Sequence, residues 1–100
     1  MRTQIQNNTL QVSGVTELNA ANAAAFRDDV RSALTDAVIA LEVDLSATTF
    51  VDSSGLGALI ALHKTMCARQ GGIRIIHPTA TVLQILELTR LHRVLEIVTA

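Results

Sequence analysis

Tryptophan and tyrosine are absent from these 100 residues, and the two aromatic side chains are both phenylalanine. A core must therefore be assembled from Ala, Val, Ile and Leu. The single cysteine, Cys67, has no intrachain partner, which disfavours a disulfide-stabilised secreted module. Charge of one sign is missing too: 8 Lys and Arg stand against 9 Asp and Glu, a net charge of -1. The basic residues are scattered, so the chain lacks both the concentrated stripe of a nucleic-acid surface and a polybasic membrane anchor. The start, Met1 to Asn8, is too polar for a signal peptide. The strongest apolar run, Gly55 to Leu62, falls far short of the ~20 residues that span a bilayer. A cytoplasmic protein without direct nucleic-acid contact or membrane insertion is expected. There is no linker, low-complexity tract or repeat, and the length suits a single domain, residues 1–100, with one modest core.

What is present is a regular alternation of periods. Thr9-Leu10-Gln11-Val12-Ser13 reads as a half-buried strand, and Asn7-Asn8 turns it back on Gln4-Ile5-Gln6. Gly14 ends it. Ala20 to Ala37 reads as a helix with Phe26, Val30, Ala33 and Leu34 on one stripe and Arg27, Asp28 and Arg31 elsewhere. Asn19 or Asn22 would be its N-cap. Val38 to Leu45 is the clearest strand, with Ile39, Leu41, Val43 and Leu45 on one face and Ala40, Glu42 and Asp44 on the solvated one. The period turns helical from Ser54 to Arg69, with Leu56, Leu59, Ile60 and Cys67 aligned and Gln70-Gly71-Gly72 as the stop. Ile73 to Ile76 is a strand ended by His77-Pro78. Thr79 or Thr81 caps a third helix through Leu88, with Val82, Ile85 and Leu86 inward. Val94 to Val98 fits a short strand or a last helical turn. Strands alternating with helices predict an α/β fold, a central and mostly parallel sheet flanked by helices through right-handed crossovers.

The junction Phe50-Val51-Asp52-Ser53-Ser54-Gly55-Leu56-Gly57 carries the chemistry. It lies beyond the C-terminal end of a strand, where sites of such sheets gather. Asp52, Ser53 and Ser54 are all good helix caps, and spacing alone favours capping for Ser54. The sharper reading makes Ser54 a phosphoacceptor, since a helix start supplies N–H groups and a dipole that tolerate phosphate. One hydroxyl can serve both purposes. Gly55 and Gly57 open the backbone to a partner or serve packing. A catalytic serine is disfavoured: the elbow Gly-x-Ser-x-Gly has Asp52 and Leu56 where glycines belong. None of His63, His77 and His92 has a visible orienting carboxylate. His63 and Cys67 lack a third metal ligand at a telling spacing, and Cys67 reads as a buried small hydrophobe. Asp44 and Glu42 read as the solvated side of their strand, Asp44 alternatively lying near the Asp52 loop. No catalytic residue, metal or cofactor is expected.

Val43-Asp44-Leu45-Ser46 leading into Phe50-Val51-Asp52-Ser53-Ser54-Gly55-Leu56-Gly57 resembles the STAS domain family, most nearly the bacterial anti-sigma factor antagonists. The turn Glu17-Leu18-Asn19-Ala20-Ala21-Asn22 after Gly14 and the tail Leu88-Thr89-Arg90-Leu91 with Val94-Leu95-Glu96-Ile97 extend the likeness along nearly the whole chain. The resemblance implies partner switching. The unmodified protein would bind an anti-sigma factor serine kinase, phosphorylation of Ser54 would end the binding, and a PP2C-type phosphatase would restore it. ATP would belong to the kinase. Asn19, Asp52, Ser53, Ser54, Gly55, Leu56 and Gly57 would form the partner-binding segment. Asn19 departs from the family's usual aspartate and removes a negative charge near the serine. Other members serve as constitutive subunits of lipid-transporting ABC complexes or in signalling scaffolds, the alternative implied here.

Overall fold

The computed structural model describes residues 1–99. Strand β1 (Arg2–Gln6) folds back antiparallel on β2 (Thr9–Ser13), with Asn7 and Asn8 both at positive φ, as the turn requires. A two-residue β3 (Glu17–Leu18) precedes helix α1 (Ala23–Ala33), and β4 (Ala40–Asp44) follows. A second two-residue strand, β5 (Phe50–Val51), feeds α2 (Ser53–Ala68). Strand β6 (Gly72–Ile76), α3 (Ala80–Leu88), a 3₁₀ turn at Leu91–Arg93 and β7 (Glu96–Val98) complete the described chain.

The main sheet has five strands in the order β1-β2-β4-β6-β7, all pairs parallel but the first. From β2 onward each crossover moves one strand further in the same direction. Right-handed crossovers of that kind lay every helix on the same face. The burial pattern agrees: Leu10, Val12, Leu41, Val43, Ile73 and Ile75 are buried, while Gln11, Glu42 and Arg74 between them are half-buried. On the helical side these residues share one core with Phe26, Val30, Leu59, Leu62, Met66, Val82 and Leu86. On the other side the register lines up Gln4, Gln11, Glu42, Arg74 and Glu96 across all five strands. Arg74 forms an ion pair with Glu42 in that row. Asp44 closes a local turn by accepting from the Ser46 N–H at 2.8 Å.

Three expectations are corrected: the bounds of α1, the facing of Ile39 and the burial of Cys67. Helix α1 is shorter than Ala20 to Ala37, because Asn19 to Asn22 form a side-chain-bonded turn and Leu34 is already extended (φ -77°, ψ 111°). Asn22 occupies its N-cap position, but its side chain makes no capping bond. Ile39 does not share the buried face. Strand β4 begins at Ala40, Val38 turns inward instead, and Ile39 is 62% exposed. Cys67 is exposed rather than buried. The inward stripe of α2 runs through Leu59, Leu62 and Met66, and Cys67 lies about 100° around the helix from Met66. The stop after α2 falls on Gln70 at φ 59°, whose successor Gly71 donates to the Met66 carbonyl at 2.8 Å.

The third helix is capped by Thr79, not Thr81. Thr79 Oγ1 accepts from the Val82 N–H at 3.4 Å and donates to the Thr48 carbonyl at 2.8 Å. Of the two forms open to Val94 to Val98 the strand is found, at Glu96–Val98 paired to β6, and a 3₁₀ turn at Leu91–Arg93 precedes it.

Candidate functional site

Helix α2 starts where the second, two-stranded sheet ends. Strands β3 and β5 pair in parallel through Glu17 with Phe50 and Leu18 with Val51. That ladder is prolonged by the Asp52 N–H, which donates to the Leu18 carbonyl at 3.1 Å. Asp52 then leaves the strand (φ -97°, ψ -173°) and becomes the N-cap of α2. Its Oδ1 accepts from the Gly55 N–H at 3.0 Å, and its carbonyl accepts from the Leu56 N–H at 2.9 Å. An aspartate there also complements the positive end of the helix.

The cap therefore belongs to Asp52, and Ser53 and Ser54 fall inside the first turn. Both serines are exposed. The Ser54 hydroxyl makes no hydrogen bond to any described residue.

Asp52 has a second task. Its Oδ2 accepts from the Ala20 N–H at 3.1 Å, tying the turn before α1 to the start of α2 across 32 positions of sequence. That turn is itself closed by its asparagines. Asn19 N–H donates to Asn22 Oδ1 at 2.8 Å, Asn19 Oδ1 accepts from the Ala21 N–H at 3.0 Å, and Asn22 Nδ2 donates to the Glu17 carbonyl at 2.7 Å. Asn19 Nδ2 donates to Glu17 Oε2 at 3.1 Å, so the amide has found a carboxylate where a negative side chain would be repelled.

The two glycines have opposite surroundings. A Cβ at Gly55 would collide with the carbonyl of Leu18 and lie 2.9 Å from its Cγ, so glycine is what lets α2 seat against β3. A Cβ at Gly57 would meet nothing within 4 Å. Of the residues singled out in the sequence, Ser53, Ser54 and Gly57 reach the surface together, Asn19 and Asp52 are half-buried behind them, and Gly55 and Leu56 face inward. An open hollow of ≈ 330 Å³ separates the starts of the two helices, lined by Ala20, Ala23, Ala24, Arg27, Ser54, Gly57 and Ala58. Its alanines were not singled out by the sequence reading. The run Ala20-Ala21 and Ala23-Ala24-Ala25 was the available signal, because small side chains leave a helix surface low.

His63 is half-buried, and His77 and His92 are exposed. The Cys67 sulfur lies 3.6 Å from His63 Nε2. Among the described residues no group of three His, Cys, Asp or Glu side chains gathers. None of the described helices is long and apolar enough to cross a membrane.

Comparison with known proteins places this geometry. The family model described as "Mlab, STAS domain" matches residues 1–99. No curated protein sequence matches the chain. Among solved structures, a candidate anti-sigma factor antagonist from Thermotoga maritima superposes with a TM-score of 0.91 at 25% identity, covering 99% of this chain and 86% of that one. An anti-sigma factor antagonist from Mycobacterium paratuberculosis gives 0.85 at 22%, covering 99% and 84%. The unphosphorylated form of the Bacillus antagonist SpoIIAA gives 0.82 at 20%, covering 98% and 87%. The last two likenesses speak for the fold. With the family model matched along every described residue, this chain belongs to the STAS family.

Proposed function

We propose that this chain is an anti-sigma factor antagonist that works by partner switching and catalyses nothing itself. In its unmodified form it binds an anti-sigma factor serine kinase and so releases the sigma factor. The kinase then transfers the γ-phosphoryl group of its ATP to the Ser54 oxygen, giving ADP and a phosphoserine, and the complex separates. A PP2C-type phosphatase hydrolyses the ester and restores the binding form. One observation carries this reading. The Ser54 hydroxyl is exposed and free of hydrogen bonds to the described residues because Asp52 caps the helix in its place. A serine needed for capping would be tied down; this one is available for chemistry, and modifying it leaves the cap intact.

The phosphate adds about -1.5 to -2 charges on a surface of exposed Ser53, Ser54 and Gly57. Placing that charge and bulk in an interface formed around an unmodified serine costs about 2–5 kcal/mol, or at least ~30-fold in affinity. A lysate pull-down with wild type and Ser54→Asp, followed by calorimetry on the captured kinase, tests the reading. Wild type and Ser54→Ala should bind alike and Ser54→Asp far more weakly. Equal affinity for all three contradicts the switch.

Asn19 favours a second reading, a constitutive subunit of a lipid-transporting ABC complex or a scaffold that docks through the same face. Its amide is engaged with Glu17 and supplies no charge beside the serine. An ABC-type ATPase held equally by wild type and Ser54→Asp would establish that role instead.

A further inference from the structure

The hollow between α1 and α2 holds a cation as well as the serine. Arg27 is its only charged lining residue among the described ones, and the rest of the wall is Ser54, alanine and glycine. No bulky side chain in that lining stands between guanidinium and hydroxyl. Arg27 is at present engaged by its neighbour, with Nε 3.0 Å from Asp28 Oδ1. That contact joins adjacent residues, and the side chains are 36% and 63% exposed, the setting of a weak surface pair. Two other acids of the neighbouring turns are engaged by N–H donors. Asp52 accepts from Gly55 and Ala20, and Glu17 accepts from Asn19.

We propose that Arg27 receives the Ser54 phosphate. On modification the guanidinium leaves Asp28 and closes across the hollow onto the phosphate oxygens, a pairing that suits the planar fork of arginine. The phosphate is then drawn down between the helices, so that α1 shares in the modified state, and Asp28 competes with the phosphate for the same cation. This inference rests on Ser54 being the phosphoacceptor.

The test makes the modified protein without any kinase, by incorporating phosphoserine at position 54 during synthesis, and follows the phosphate's second ionisation by ³¹P NMR. The α2 start acts on the phosphate in every variant, so differences report Arg27. The midpoint in wild type should lie about 1 unit below that of Arg27→Gln, the effect of one close opposite charge, and Arg27→Lys should restore part of the gap. Asp28→Asn should lower the wild-type midpoint further, and most of that effect should vanish when Arg27→Gln is also present. Equal midpoints in wild type and Arg27→Gln overturn the proposal, as does an Asp28→Asn shift that persists undiminished without Arg27. The unmodified variants should melt together with wild type, which separates the contact from a folding defect. Failure of a kinase to modify or release the chain bears on the partner switch alone, because these midpoints involve no kinase.

Discussion

Replacing Asp52 by alanine removes two acceptors at once, one inside α2 and one that reaches the Ala20 N–H. Loss of an N-cap side chain costs about 0.5–2 kcal/mol. A lost intramolecular hydrogen bond costs about 0.5–1.5 kcal/mol. Together they predict a loss of roughly 1–3.5 kcal/mol. At about 4–8 °C per kcal/mol for a domain of this size, Tm should fall by roughly 4–28 °C. Asp52→Asn should be intermediate, since its carbonyl oxygen can still cap Gly55 while its NH₂ group faces the Ala20 N–H without an acceptor. Ser54→Ala removes an exposed hydroxyl with no described partner and should stay within about 0.5 kcal/mol of wild type. Thermal and urea unfolding followed by circular dichroism, at one protein concentration, separates these outcomes. If Ser54→Ala loses as much as Asp52→Ala, the serine is the cap after all, and the argument that frees it for modification fails.

The glycines should also part company. Gly55→Ala must displace the Leu18 backbone or tilt α2 and should cost at least about 1–3 kcal/mol by the same unfolding assay. Gly57→Ala adds a methyl to open space in a helix and should gain up to about 1 kcal/mol of stability, while weakening partner binding by calorimetry if that surface is the contact. Cys67 should react with a thiol reagent in the native protein at nearly the rate of the unfolded chain, and Cys67→Ser should change stability by less than about 0.5 kcal/mol. A thiol protected until global unfolding contradicts the exposed placement.

How far the sequence revealed this molecule depends on the distance over which each feature is decided. Alternation in Thr9 to Ser13 and in Leu41 to Leu45 is a local record of one buried and one open face, so the main strands were legible. The start of α2 was legible too, because cap residues act within one turn. Which of Asp52, Ser53 and Ser54 would cap was not, because all three suit the position. The choice is made by Leu18, whose carbonyl holds the Asp52 N–H and whose packing requires glycine at 55. Strands β3 and β5 have two residues each, too few for any period to register. The alanine run before Phe26 overstated α1, since helix propensity cannot see that Asn19 and Asn22 will bond each other. Cys67 was misplaced by following the stripe from Leu56, which is buried at one end of α2, to a position at the other end that no element covers.

The row Gln4, Gln11, Glu42, Arg74 and Glu96 lies across the sheet face opposite the helices. Residues there answer only to strand propensity and to their cross-strand neighbours, whereas the positions around Asp52 are bound by cap, close contact and turn together. The chain thus keeps its constraints on one side and its freedom on the other. A dye, tag or surface attachment on the Gln11 side should leave the α1–α2 hollow undisturbed.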